Sequence, residues 1–308
     1  MRRSVRVFFR GFLLLALVGL VAAGAAWWWL GRASLAEQHA WETRLSLVSL
    51  KLQGRIPHVG WSAILPRLGS AWLKQGPPPL ARIVERGPAP CTALWDTGMG
   101  RFWGTERDGR DLDWIVMEQI GWHIYDRRDA RIRAGDIVFD VGAHLGTFAR
   151  FALDRGAAKV VMFEPQPVNA RCLERTFAPE IRDGRAVLVE AAVWHTSGML
   201  SFANEGPGTM GHVDTDGSAQ DFSVPAVTFD DAVERLGLPR VDFIKMDIEG
   251  AERHALAGGR GVLARSRPRM AICIYHAPDD HEVIPRIVMG ANPAYRMSTR
   301  GQFQAYFH

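Results

Sequence analysis

Cysteine is scarce in this chain of 308 residues, which contains only Cys91, Cys172 and Cys273. The three are far apart and odd in number, and no Cys-x-x-Cys or cysteine–histidine ligand spacing occurs. Such a pattern excludes a dense disulfide framework and a structural zinc site. We therefore expect no disulfide and interpret the three side chains as reduced, mostly buried thiols.

A clustered basic surface is also missing. The formal net charge is +4, and Arg2, Arg3, Arg6 and Arg10 account for all of it. The rest of the chain is formally neutral, which argues against a nucleic-acid-binding face. No internal repeat is visible, and a hydrophobic content of 47% fits one globular domain with an appendage.

Charged residues are absent from residues 11–30. A helix of about 20 apolar residues can cross a bilayer, arginines precede the run, and the tryptophans at 27–29 stand where interfacial aromatic side chains are expected. A cleavable signal peptide is the alternative, because small residues at 23–25 offer a cleavage position. Since the apolar run continues past them, we predict a retained N-terminal transmembrane helix within residues 1–33.

Residues 34–90 have helical hydrophobic spacing interrupted by proline and glycine, and we interpret them as a helical linker or lid. Trp61, Ile64 and Leu65 recur at helical spacing. The helix that contains them either lies on the membrane surface or packs on the catalytic body, and both interpretations stay open. The catalytic domain itself is predicted to comprise residues 91–308.

Short apolar runs alternate with helical patterns throughout residues 91–308. This alternation predicts an α/β fold with a doubly wound, mostly parallel sheet. Ligands bind such sheets beyond the carboxyl ends of the strands. The polar residues predicted at those ends are Asp140, Glu164, Glu190, Asp247, Glu249 and His276.

The first predicted strand ends in the turn Gly142-Ala143-His144-Leu145-Gly146, which a helical pattern follows. The turn lacks the middle glycine that lets a diphosphate approach the backbone. Glu164, about 18 residues farther on and at the end of the next strand, stands where an acid accepts hydrogen bonds from ribose hydroxyls. A ligand with adenosine but no diphosphate fits this combination, and S-adenosylmethionine (SAM) is such a ligand.

Five segments resemble the conserved stretches of FkbM-type SAM-dependent methyltransferases. They are FDVGAHLG at 139–146, FEP at 163–165, VPAVTFDD at 224–231, FIKMDIEGAE at 243–252 and IYHAPDD at 274–280. The resemblance covers residues 95–308 and is specific in combination, whereas the glycine turn alone would be a weak signal.

The resemblance implies a class I (Rossmann-like) methyltransferase sheet with an antiparallel final strand, here expected at 303–307 after a strand at 295–299. It also implies methyl transfer from SAM to an oxygen, commonly a hydroxyl of a sugar, polyketide or other natural product. The SAM-binding residues carried over to this sequence are Asp140, Gly142, Ala143, His144, Gly146, Glu164, Pro165 and Asp247.

An alcohol acceptor loses its proton as the new bond forms, which calls for a general base or a metal ion. His276 is the predicted base, because its ordinary pKa suits proton transfer near neutrality; the alternative is a histidine that only hydrogen-bonds the backbone. Asp247 and Glu249 complete the predicted catalytic set, and Glu252 is interpreted as structural. We predict no metal site, although a divalent ion is an alternative with ligands drawn from Asp247, Glu249, Asp279 and Asp280.

Two other classes of function stay open. A nucleotide-linked oxidoreductase is opposed by the missing diphosphate glycine, and a non-catalytic SAM-fold interaction module is opposed by the acids at the strand ends. Arginines before the anchor predict a translocated catalytic domain, whereas SAM is a cytoplasmic metabolite. We predict a single-pass membrane protein with cytoplasmic catalysis, a small-molecule or glycan acceptor and no nucleic-acid partner.

Overall fold

Within the residues that it describes, the computed structural model has fourteen strands, with helices before and between them. The residues that it describes are 45–65, 77–127, 130–204, 211–213, 222–300 and 303–308. The strands are β1 (Arg82–Arg86), β2 (Ala93–Asp96), β3 (Arg101–Gly104), β4 (Ile137–Val141), β5 (Lys159–Phe163), β6 (Ala186–Val189), β7 (Ala192–Val193), β8 (Gly198–Asn204), β9 (Gly211–Val213), β10 (Phe222–Val227), β11 (Phe243–Met246), β12 (Arg269–Cys273), β13 (Met297–Arg300) and β14 (Gln304–Phe307).

The helices of the described residues precede the first strand or connect later ones. They are α1 (45–52), α2 (Trp61–Ile64), α3 (Gly109–Val116), α4 (Thr147–Asp154), α5 (Pro167–Thr176), α6 (Ala178–Arg182), α7 (Phe229–Arg235), α8 (Glu252–Ala257), α9 (Arg260–Arg265) and α10 (Asp280–Ala291). A π-helical turn, Met117–Gly121, continues α3.

Seven strands form the central sheet in the order β13-β14-β12-β11-β4-β5-β6. The five from β12 to β6 are parallel to one another, whereas β14 runs antiparallel to β12 and β13 antiparallel to β14. Successive residues of a strand point to opposite faces, so Val138 enters one core and Phe139 the other. The prediction of a doubly wound, mostly parallel sheet with an antiparallel final strand is confirmed.

A smaller sheet of order β7-β10-β8-β9 lies beside the central one. Residues 199–202 form most of β8, and residues 223–227 form most of β10. Between these two strands the described residues include β9. Three residues of this sheet, Ala192, Val193 and Phe202, help to enclose the site described below.

The N-terminal part of the described chain packs on the catalytic body. Strands β2 and β3 form an antiparallel hairpin, and β1 adds a third strand upstream of the domain start predicted at residue 91. Leu47 and Ile64 are fully buried in the same core as the hairpin. The part of the segment around Trp61 that is described therefore fits the interpretation of a helix packed on the body.

No helix among the described residues has both the length and the apolar character needed to span a bilayer. The predicted transmembrane helix within 1–33 lies outside the described residues. So do residues 66–76, which follow α2.

A disulfide joins Cys91 to Cys172, with their Cα atoms 5.5 Å apart. The expectation of reduced thiols is therefore wrong for this pair, and it is confirmed for Cys273, which is free and buried. The two partners are 81 residues apart in sequence and meet because α5 packs on the N-terminal sheet. At this contact the backbone N–H of Trp103 donates to Thr176 Oγ1 at 2.9 Å. The bond ties that sheet to the helix that follows Glu164.

We predict that replacing both bridged cysteines (Cys91→Ser and Cys172→Ser) lowers the free energy of unfolding by about 2–4 kcal/mol. A cross-link between distant residues restricts the unfolded chain, and its loss restores that freedom. Urea unfolding of the oxidised protein, with and without dithiothreitol, measures the effect. Reductant should destabilise the unaltered protein to the level of the double variant and leave the variant unchanged; equal unfolding curves for all samples would contradict the disulfide.

Candidate active site

A cavity of about 320 Å³ lies at the carboxyl ends of β4, β5 and β11. This position is where open α/β sheets bind ligands, and the volume falls within the range of small-molecule sites, about 300–1,000 Å³. The structure brings six of the eight predicted SAM-binding residues to its wall. They are Gly142, Ala143, His144, Glu164, Pro165 and Asp247.

The turn after β4 contacts the end of β11 directly. Gly142 has a φ of +77°, and a Cβ atom there would collide with the carbonyl oxygen of Asp247. Gly146, with a φ of +84°, packs in the same way against the ring of Phe177. A side chain at either position would push the turn away from the residue it contacts, so both glycines are needed for packing. Gly142 lines the cavity, whereas Gly146 does not.

Asp140 lies beneath the turn rather than in the cavity. It is fully buried on β4, opposite Lys245 of β11 in the strand register, and the Lys245 Nζ lies 3.3 Å from Asp140 Oδ1. The same ammonium group donates to the carbonyl oxygen of Gly142 at 2.6 Å. Burial alone would lower the pKa of Lys245, but Asp140 and Asp247 outweigh it and raise that pKa, so the lysine stays charged.

Lys245 is a site residue that the strand-end criterion missed. A signal was present, because a lysine inside the apolar run of β11 needs an acid on a neighbouring strand, and Asp140 stands at the matching position of β4.

Glu164 lies at the end of β5 with both oxygens engaged by the adjoining turns. The backbone N–H of His144 donates to Oε2 at 2.7 Å, and that of Gln166 donates to Oε1 at 3.0 Å. Burial outweighs these hydrogen bonds and raises the pKa of Glu164 to about 7. The side-chain amide of Asn169 also donates to Oε1, at 3.4 Å. Oε2 therefore keeps a free lone pair for a further donor, which suits the predicted ribose contact.

Six residues of the cavity wall come from the segment between the N-terminal sheet and β4, and two of them, Glu118 and Tyr125, are titratable groups close to Asp247. Glu118 lies in the π-helical turn; burial and the nearby carboxylates of Asp247 and Glu249 raise its pKa to about 8. The hydroxyl of Tyr125 donates to Asp247 Oδ2 at 2.6 Å. Neither residue stands at a strand end, and π-helical turns, although common at functional sites, have no sequence pattern that predicted this one.

The three predicted catalytic residues come together at the rim of the cavity. His276 Nε2 lies 3.2 Å from Glu249 Oε2 and 3.7 Å from Asp247 Oδ1, and His276 Nδ1 lies 3.0 Å from Glu252 Oε1. Burial by itself would lower the pKa of His276, but the surrounding carboxylates outweigh it and raise that pKa to about 10. In this structure the imidazole is therefore protonated at neutral pH.

Glu252 supports this cluster from behind. It is fully buried and accepts backbone N–H groups from Ile248 at 2.9 Å and Gly250 at 3.1 Å. These bonds shape the loop that carries Glu249, whose φ of +52° is unusual for a residue with a side chain. The interpretation of Glu252 as structural agrees with these contacts.

Three of the acids considered from the sequence lie away from the cavity wall. Glu190 is largely exposed and lies 3.9 Å from Arg171. Asp279 and Asp280 bind the guanidinium of Arg253 at 2.6 Å and 2.5 Å, and Asp280 begins α10. The metal-ligand set that included this last pair is therefore not assembled in the structure.

Comparison with known proteins adds a family to this geometry. Residues 140–296, half of the chain, match the domain described as Methyltransferase FkbM domain. The chain belongs to the FkbM methyltransferase family. The resemblance carried by the sequence motifs is thereby confirmed, and family membership favours a methyltransferase over the oxidoreductase and the non-catalytic module.

Two curated relatives of this FkbM-family chain have functional names. The 2-O-methyltransferase NoeI of Sinorhizobium fredii is 30% identical over 150 residues, which cover 42% of this chain and 60% of the relative. The 31-O-demethyl-FK506 methyltransferase FkbM of Streptomyces tacrolimicus is 28% identical over 164 residues, covering 44% and 63%. The chain thus spans less than two thirds of the length of either relative.

Among solved structures, the methyltransferase FkbM of Methylobacillus flagellatus matches with 20% identity and a TM-score of 0.45. The match covers 67% of this chain and 56% of that protein.

We predict that binding of S-adenosylhomocysteine (SAH), the demethylated form of SAM, strengthens up to tenfold between pH 6 and pH 8. Ribose hydroxyls donate to an ionised Glu164, and for a pKa of about 7 the ionised fraction rises from about one tenth to about nine tenths over that range. Isothermal titration calorimetry at several pH values measures the dissociation constant.

Glu164→Gln is the matched variant for this measurement. It should bind SAH about 10- to 100-fold more weakly at pH 8, because it loses charge-assisted hydrogen bonds, and its affinity should lack the rise between pH 6 and pH 8. Any effect of Glu118 on binding is common to both proteins. An equal pH dependence in the two proteins would contradict the ribose role of Glu164.

Proposed function

We propose that this chain is a SAM-dependent O-methyltransferase. The observation that carries the proposal is a single cavity that joins two kinds of group. Glu164 and the Gly142 turn follow β5 and β4, and the carboxylates of Asp247 and Glu249 follow the adjacent strand β11. The first pair fits a nucleoside without a diphosphate, and the second suits a site where a proton leaves an acceptor.

The residues present fit SAM as the cofactor. Gly142 contributes backbone to the cavity wall, Glu164 Oε2 offers an acceptor for a ribose hydroxyl, and Asp247 presents a carboxylate to a positively charged group. SAM, when bound, supplies an electrophilic methyl group for in-line displacement by the acceptor oxygen. The protein's own part is to hold donor and acceptor in line and to take up the acceptor proton.

We propose a hydroxyl of a sugar, glycoconjugate or other natural product as the acceptor. The names of both curated relatives specify methylation at oxygen. Trp114 and Tyr275 line the same cavity as Glu249, and aromatic rings give a broad apolar surface with a polar edge on which a sugar ring or a macrocycle can lie.

His276 is the predicted general base, and that role stays a prediction. The pKa of His276, raised to about 10, means that the ring carries a proton near neutrality and can donate but not accept. It can act as a base only after another positive charge enters the cluster and expels that proton.

We predict that the purified chain transfers the tritium-labelled methyl group of SAM to hydroxyl-bearing molecules of a cell extract. The product should be a methyl ether, whose label resists mild alkali that cleaves methyl esters. Glu249→Gln should lower the rate by about 100-fold or more while it leaves SAH binding within about threefold. Glu190→Gln, which changes an acid outside the cavity, is the control.

Tight SAH binding without any labelled product would favour the non-catalytic module. Tight NAD(P) binding without SAH binding would favour the oxidoreductase, and alkali-labile label would exclude an ether product.

We further propose that residues 1–33 anchor the chain in a membrane with its catalytic domain in the cytoplasm, where SAM is available. The Cys91–Cys172 disulfide weighs against this compartment, because disulfides are rare in the cytosol. If the catalytic domain lies in the cytoplasm as proposed, a phosphatase reporter that is active only outside the cytoplasm should be inactive when it is fused after His308 and expressed in bacterial cells. An active reporter, with the two cysteines oxidised in those cells, would contradict the proposal.

A further inference from the structure

The cluster of Asp247, Glu249 and His276 has the composition and spacing of a metal centre. One ligand atom from each residue lies within 4.8 Å of the other two. His276 Nε2 is 3.2 Å from the Glu249 carboxylate and 3.7 Å from that of Asp247. Ligands about 2.1 Å from one cation, in neighbouring tetrahedral or octahedral positions, are separated by about 3.0–3.4 Å, so a cation needs only small side-chain movements.

Buried polar atoms of the cluster have incomplete hydrogen bonding. Only 9% of the His276 side chain is exposed, and within the described residues neither ring nitrogen has a hydrogen bond of acceptable geometry. Asp247 Oδ1 also has none, whereas its Oδ2 accepts the Tyr125 hydroxyl. Buried polar groups normally find partners, and a cation between Nε2 and Oδ1 would satisfy both.

The formal charges of the cluster do not balance. Three carboxylates, those of Asp247, Glu249 and Glu252, lie around one imidazole. Lys245 is nearby, but it lies closest to the buried carboxylate of Asp140. This excess of negative charge favours a divalent cation.

Glu252 stands where a metal-bound histidine needs support. Its Oε1 lies 3.0 Å from His276 Nδ1, and backbone N–H groups hold the carboxylate in place. A small rotation of the ring would bring the Nδ1 proton into line with this carboxylate and leave the Nε2 lone pair for the metal.

We propose that Asp247, Glu249 and His276 bind one divalent first-row transition cation, with Mn²⁺ preferred over Mg²⁺. An imidazole nitrogen beside two carboxylates suits such cations, whereas Mg²⁺ prefers oxygen ligands alone. The site keeps the two carboxylates of the set considered from the sequence and has His276 in place of Asp279 and Asp280, which bind Arg253.

The consequence of the cation for catalysis rests on the proposed O-methyltransferase function. Three protein ligands leave coordination positions open, and Asp247 and Glu249 direct the site to the cavity. An acceptor hydroxyl bound at an open position would lose its proton to solvent water more readily than a free alcohol, and its oxygen would then take the methyl group as S-adenosylhomocysteine leaves. His276 would act as a ligand, and no neutral histidine base would be required.

Metal binding is testable on the full chain without an activity assay. After treatment with a chelator and dialysis, calorimetric titration with MnCl₂ should give one site per chain, with MgCl₂ at least tenfold weaker. Pulsed electron paramagnetic resonance of the Mn²⁺ complex should show coupling to ¹⁴N from the imidazole. A protein that binds SAH but no Mn²⁺, or that binds Mn²⁺ without ¹⁴N coupling, would overturn the site.

Variants locate the cation within the cluster. His276→Gln should abolish the ¹⁴N coupling, and both it and Glu249→Gln should weaken Mn²⁺ binding at least tenfold, whereas Glu190→Gln should leave binding unchanged. SAH titration on the same samples verifies that each variant is folded. Mn²⁺ binding that these variants do not change would overturn the proposal. Mn²⁺ bound by the cluster of a protein that binds no SAH would support the site and contradict the proposed function.

Discussion

The active-site cavity depends on the buried ion pair between Asp140 and Lys245. A buried ammonium group is costly to desolvate, and here it is compensated by one carboxylate and by the carbonyl oxygens of Val141 and Gly142. Because the pair joins β4 to β11, it aligns the two strand ends that form the cavity floor. The close approach of Gly142 to the Asp247 carbonyl extends the same contact into the turn. The Gly142 turn and Asp247 are therefore positioned by one pair of adjacent strands.

Charge is compensated beneath the cavity and left uncompensated at its rim. Lys245 is paired with Asp140, whereas Asp247, Glu249 and Glu252 surround a single imidazole. Such a rim attracts positive charge, and a SAM sulfonium and a divalent cation both supply it. Burial raises the pKa of Glu118 first, and Asp247 and Glu249 raise it further. The pKa of His276 is raised against the effect of burial by Glu249, Glu252 and Asp247, since a negative environment favours the protonated form of either group.

The sequence was sufficient for most of the sheet and part of the site. Apolar runs of five or so residues identify buried parallel strands, and the strand-end rule led to Glu164, Asp247, Glu249 and His276. Contacts between segments distant in the chain were out of reach. Cys91 meets Cys172 only because α5 packs on the N-terminal sheet. Asp279 forms an ion pair with Arg253 of α8. Glu118 and Tyr125 enter the site from an irregular turn whose position depends on tertiary packing, which local periodicity does not encode.

A crystal structure of the chain with SAH and Mn²⁺ tests the central claim most directly. The predicted result places the ribose hydroxyls on Glu164, the sulfur on the side of Asp247, and one metal ion between Asp247, Glu249 and His276. The acceptor pocket would then be the open space beside Trp114 and Tyr275. SAH bound elsewhere, or bound in this cavity without contact to Glu164, would contradict the assignment of the cavity as the SAM site.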